Sequence, residues 1–238
     1  MDQSAVLISL KTASISIVFT FFLGIFSAWQ VGSLRSPALK TLLDGLFTLP
    51  LVLPPTVAGF FLLYIFGVKR PVGAFLLDFL HVKIVFTWGA TVLAAVVISF
   101  PLMYRSARGA FDQLDQTLLD AARTLGRSDS WVFWRVALPL ARPGIAAGSI
   151  LSFARGLGEF GTTAMIAGNI AGQTRTLPLA VYSAVAGGNP ESASGYVGIL
   201  MGISFLALTG LNLFSGPPLH SSPKRRKKPK GQTKRQKR

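Results

Sequence analysis

DAARTLGRSDSWVFWRVALP, residues 120–139, is the longest polar interlude between the apolar runs of this chain. Asp120, Ala121 and Ala122 open it, and Gly126 breaks it. Trp131, Phe133 and Trp134 form an apolar group behind the break, and Val136 to Pro139 lead into the next apolar run. Small side chains at 121 and 122 leave a shallow, close-approach surface on a helix. Gly126 allows a sharp turn with φ above zero. The stretch therefore reads as a short helix, a bend and a second helix, a shape suited to docking in a groove of another protein.

Long uncharged runs flank this interlude. The chain has 238 residues, of which 50% are hydrophobic and only 14% charged, and its mean hydropathy is positive. That composition points to a membrane protein. A spanning helix needs about 20 apolar residues. Runs near 12–34, 46–67, 84–104, 143–167 and 196–214 qualify, so we expect an all-α, polytopic protein with about five transmembrane helices. Residues 1–215 form its membrane domain, with a polar loop at 105–142. The stretches 67–83 and 169–193 read as loops. Trp29 sits near one end of the first run, where an aromatic belt would place it.

The second run contains LPLVLPP, residues 49–55. Prolines remove backbone donors and kink or interrupt a helix. Membranes tolerate broken helices where protein or a watery cavity satisfies the freed carbonyls. This run is therefore a candidate pathway lining. The alternative is a structural helix that begins after Pro55, with part of 45–55 in the interface.

The formal charge is +15, but ten of the 24 basic residues lie at 224–238. With the 105–142 loop inside, Arg35, Lys40, six arginines of that loop and the tail share its side. Lys11, Lys69, Arg70, Lys83 and Arg175 lie on the other. The positive-inside rule then puts the N-terminus outside and the C-terminus in the cytoplasm.

The fourth run carries the stretch FARGLGEFGTT, residues 153–163. Its glycines weaken a helix and let another backbone approach. A charge at mid-membrane costs roughly 2.5–3.5 kcal/mol on insertion scales, so it is normally paired or faces water. Arg155 and Glu159 are four apart and can pair on one helix face, in the less favoured order. They either shape a translocation pathway or brace packing near an interface.

Cysteine is absent, which excludes disulfides, thiolate metal sites and a Cys nucleophile. His81 and His220 lack ligand-like spacing and read as loop residues. The sequence contains no G-x-x-x-x-G-K-[ST] phosphate loop. We expect no enzyme activity, no metal site and no cofactor in this chain.

The residues 120–139 resemble the "EAA" loop of ABC-importer permeases, with Asp in place of Glu and Val136 in place of Ile. The stretches LFTLPLVLPPTVAGFFLLY, ISFPLMYRSARGAF and FARGLGEFGTTAMIAGNIAGQTRTLPLAVY look like the molybdate-type members, over about residues 5–214. Sulfate and thiosulfate permeases share parts of the pattern, and the run Gln173 to Pro178 favours molybdate or tungstate. The resemblance implies a type I ABC-importer permease fold in a cell membrane. It implies a homodimer, a cytosolic ATP-binding subunit that binds the ATP, an extracytoplasmic molybdate-binding protein and an oxyanion substrate. By motif position it implies that Asp120, Ala121, Ala122 and Gly126 contact the ATPase. Arg155, Gly158, Glu159, Gly161, Thr162 and Thr163 are the pathway candidates.

The tail at 216–238 inherits nothing from this resemblance. Its charge density predicts disorder and attraction to anionic membrane lipids. Non-specific binding to nucleic-acid phosphates ranks below lipid, and a merely solvated tail is the bland alternative. Two other function classes compete for the whole chain. A membrane-embedded enzyme would use Arg155 and Glu159 catalytically. An ATP-independent channel or transporter would show paired internal repeats, and no clear repeat is visible.

Overall fold

The computed structural model describes residues 2–215. The basic tail and His220 lie outside the described residues. Twelve α-helices and one π-helical turn make up the described chain, with no strand among the described residues. Among the described residues, three helices are long and apolar enough to cross a membrane: α1 (Gln3–Gly32), α5 (Trp88–Asp112) and, over Pro190–Gly210, α12 (Pro190–Ser215). Two bent pairs bring the number to five if each pair counts as one span.

The first bent pair is α2 (Pro37–Val52) and α3 (Pro55–Phe66), which meet at 112°. Ser36 caps α2 and Pro37 occupies its first turn, so the helix starts well before the apolar run expected at 46–67. Pro54 and Pro55 end it, because neither can donate to the preceding turn. The second pair is Asp129–Leu140 and α9 (Arg142–Leu157), bent by 75°.

The expected fourth span, 143–167, is not one helix. It breaks at Gly158–Phe160 and resumes as the short helix α10 (Gly161–Ala167). The expected loops also contain helices, α4 (Pro71–Leu80) and α11 (Leu177–Ala186). Both are too short to cross the bilayer alone, which is why a search for long apolar runs passes over them.

The first helix starts nine residues before the apolar run. Asp2 caps it through a 2.9 Å bond from the Ser4 amide. At 1.5 Å per residue, 30 residues extend about 45 Å, well beyond a hydrocarbon core of about 30 Å. The extra turns let Lys11 lie within the helix, with its Nζ 4.2 Å from the Trp88 ring centre.

Helices α1, α5 and α9 pack together at the centre. Small residues set their spacing. A Cβ on Gly24 would lie 2.6 Å from Met103 Cγ, and one on Gly148 would lie 2.5 Å from Ser106 Cβ. Such contacts drive helix association in lipid, where apolar burial supplies little. Buried hydroxyls then pair across the interface. Thr12 meets Thr91 at 2.9 Å and Thr20 meets Ser99 at 3.0 Å. Ser152 donates to the Ser99 carbonyl at 3.2 Å.

Candidate functional site

Two regions of the chain depart from plain membrane helices. The first is the pair of helix breaks. The Pro54–Pro55 break and the Gly158–Phe160 break lie against each other, because α10 packs on α3. The contact is close enough to require glycine on both sides. A Cβ on Gly59 would lie 2.7 Å from Met165 Cβ and 2.9 Å from Thr162 Cα. A Cβ on Gly161 would lie 2.9 Å from Pro55 Cβ. The Thr162 hydroxyl donates to the Pro55 carbonyl at 2.9 Å, tying the start of α3 to α10.

Arg155 and Glu159 do not share one helix face, because α9 ends at Leu157 between them. Arg155 lies in the last turn of α9, and Glu159 stands just before α10. Each charge therefore complements a helix dipole, the cation at a C-terminus and the carboxylate at an N-terminus. Glu159 Oε1 accepts from the Thr162 amide at 2.7 Å, and its Oε2 lies 2.7 Å from Arg155 Nη1. The carboxylate is almost fully buried, at 2% exposure, whereas Arg155 keeps 31%. One ion pair thus spans the break and leaves its cationic side toward the surface.

Of the six pathway candidates, Glu159, Gly161, Thr162 and Thr163 are buried within the single chain, while Gly158 is exposed and Arg155 half-buried. Thr162 and Gly161 hold helices together. Sequence reasoning missed Gly59 and Met165, the α3 and α10 partners in this contact. The signal for Gly59 was present, a glycine one turn after Pro55.

The second region is the loop between α5 and α9. Helix α6 (Gln116–Thr124) begins at Asp115, whose carboxylate accepts from the Thr117 amide at 2.9 Å. That bond and the Thr117 hydroxyl hold the Asp115 carboxyl below its ordinary range. Gly126 then turns the chain with φ +77°. Helix α7 (Asp129–Val132) follows, and a π-helical turn at Phe133–Ala137 carries it into α8 (Leu138–Leu140). Pro139 cannot donate to the preceding turn, which accounts for the widened ladder before it.

Arg123 closes the bend. Its Nε donates to Asp129 at 2.9 Å and its Nη1 to Asp120 at 2.8 Å, and these bonds raise its already high pKa further. The two small residues point differently. Ala121 is exposed, and Ala122 is half-buried against the loop's own apolar cluster. Leu119 and Val132 bury there with Val31, Phe111 and Ala141, so the loop shares one core with α1 and α5 and with the residue that precedes α9. Among the described residues, no group of three His, Cys, Asp or Glu side chains could hold a metal.

Residues 20–215 match the family described as "Binding-protein-dependent transport system inner membrane component". The chain is 44% identical over 199 residues to "Molybdenum transport system permease protein ModB" of Escherichia coli (strain K12), covering 84% of this chain and 86% of that one. It is 37% identical over 212 residues to the Azotobacter vinelandii protein of the same name, covering 88% and 92%. Among solved structures, an inward-facing MetNI methionine ABC transporter superposes with a TM-score of 0.72 at 15% identity, over 90% of this chain and 94% of that one. A bacterial alginate ABC transporter superposes with a TM-score of 0.71 at 14% identity, over 89% and 78%. The fold is that of a type I ABC-importer permease. By sequence the chain belongs to the inner-membrane components of binding-protein-dependent transport systems.

Proposed function

We propose that this chain is the membrane-spanning subunit of an ABC importer that carries molybdate or tungstate, driven by a separate cytosolic ATPase. The observation that carries the substrate is the 44% identity to a molybdenum permease across most of both chains. Asp120, Ala121 and Gly126 belong to the arm that meets the ATPase, with Ala122 as its inner support. Two copies of the chain form the pathway, and the exposed apolar residues of α2 and α3, such as Leu46, Val52 and Phe60, support a second copy there. An extracytoplasmic binding protein delivers the oxyanion. The arm lies in the cytoplasm with the C-terminus, and the N-terminus lies outside, as the basic residues favour.

The mechanism follows from the shared core. ATP binding draws the paired ATPase subunits together, and each moves its docked α6. Arg123 makes the α6–α7 bend stiff, and the Leu119–Val132 cluster transmits the motion to α1, α5 and α9. Packed cores move as bodies rather than deforming smoothly. The joined breaks at Pro55 and Gly161 move with them and alternate the exposed side of the pathway. Nucleotide is bound by the partner subunit.

The test is uptake of labelled molybdate by proteoliposomes containing this chain, its ATPase and its binding protein. Uptake that needs ATP and all three proteins supports the reading. Preference for sulfate keeps the importer and changes the substrate. Uptake of either anion without ATP overturns the importer.

A further inference from the structure

A cavity of about 720 Å³ opens where α1 ends, between α5 and the α6–α7 arm. Trp29, Gln30, Arg35, Arg108, Arg123 and Trp134 are among its walls. Beside it runs an apolar groove of about 330 Å³, lined by aromatic and aliphatic side chains that include Phe21, Phe22 and Leu138. Phe26, Phe133 and Trp134 line both spaces, so the two form one site with a charged end and an apolar end.

The charged end sets three arginines against two aspartates, Asp112 and Asp129, which leaves it net cationic. Arg123 is satisfied by Asp120 and Asp129. Arg35 has no ion-pair partner among the described residues, since every recorded pair involves another cation. Arg108 pairs through Nη1 with Asp112, and its buried Nε faces Asp44 at 3.9 Å. The neighbouring groove fits a hydrocarbon chain, and tryptophans at the junction mark the level of lipid headgroups.

We propose that this site holds one anionic phospholipid, its phosphate against Arg35 and an acyl chain in the groove. Basic pockets at the cytoplasmic end of membrane helices select such headgroups. The lipid would fill the space between the first helix and the arm, and so stiffen the arm against α1. This goes beyond the transport reading and does not depend on which oxyanion is carried.

The test uses the full chain in nanodiscs with brominated phosphatidylglycerol or brominated phosphatidylcholine, read by tryptophan fluorescence. Brominated phosphatidylglycerol should quench at a lower mole fraction than brominated phosphatidylcholine, and Arg35→Gln should shrink that difference about fivefold, the factor expected for one basic residue facing an anionic headgroup. Trp134→Phe should remove much of the quenched signal. The basic tail favours phosphatidylglycerol equally in every variant, so the change on Arg35→Gln, rather than the preference itself, reads the site. Equal quenching by the two lipids overturns the proposal. So does displacement by millimolar inorganic phosphate, which would indicate a free-anion site. Lipid preference unchanged in Arg35→Gln, with the ATPase subunit no longer held, would also overturn it and assign the cavity to the protein partner.

Discussion

The Thr162 hydroxyl bonds the Pro55 carbonyl at 2.9 Å, joining two helix breaks 107 residues apart in sequence. The prolines free carbonyls in one, and the glycines loosen the other. Thr162→Val should lower thermal stability by about 0.5–1.5 kcal/mol, the net worth of one buried hydrogen bond. Thr162→Ser should restore most of it. Thermal unfolding of the purified permease in detergent reads the difference.

The Gly59 contact tests whether the two breaks must touch. Gly59→Ala places a Cβ against the α10 backbone, which cannot rotate away as a side-chain end can. We expect a loss of about 1–3 kcal/mol and reduced uptake. Gly45→Ala, where nothing lies within 4 Å of the added Cβ, should leave both unchanged. Equal behaviour of the two variants would show that α3 and α10 are not closely packed.

The ion pair at the second break is asymmetric. Removing Arg155 leaves Glu159 charged and buried, whereas removing the Glu159 charge leaves Arg155 with partial access to water. Arg155→Met should therefore cost about 3–5 kcal/mol, and Glu159→Gln clearly less. The glutamine oxygen also keeps the bond from the Thr162 amide. A larger loss from Glu159→Gln than from Arg155→Met would contradict this account of the charges.

The two alanines of the arm should separate docking from folding. Ala121→Arg projects from the exposed face, so it should abolish co-purification of the ATPase subunit without lowering the melting temperature. Ala122→Arg forces a charge against the arm's own core, so it should lower the melting temperature as well. Affinity capture and thermal unfolding on the same preparations distinguish the two.

The Asp115 cap makes α6 sensitive to acid. Its carboxyl is held below the ordinary value of 3.8 by bonds from Thr117. A depressed carboxylate stabilises the folded arm above its unfolded pKa and loses that contribution as pH falls through the folded value. Hydrogen exchange at the Thr117 and Leu118 amides should speed up, relative to the intrinsic rate, only under strongly acidic conditions. Asp115→Ala should give fast exchange at neutral pH. Asp115→Asn, which still accepts a bond, should restore slow exchange and remove the acid step.

Much of this protein follows from local chemistry. Apolar runs free of charge imply membrane helices, because lipid offers no partner to a backbone group outside a helix or a closed barrel. Pro54 and Pro55 mark a break because they lack a donor, and Gly126 marks the left-handed turn because it lacks a Cβ. The Arg155–Glu159 pairing was legible from their spacing, although the helix end between them was not.

Tertiary contacts decided the rest. That α10 lies on α3 depends on two backbones meeting at Gly59 and Gly161, and no periodicity in either segment encodes its partner. That Ala121 faces out and Ala122 faces in depends on the cluster built by Val31, Phe111 and Val132, drawn from distant parts of the chain. The cavity beside Arg35 exists only because the end of α1 and the arm converge. Helix type and break points are local properties of a few neighbouring residues. Which break meets which, and which face is covered, is set by packing between segments far apart in sequence.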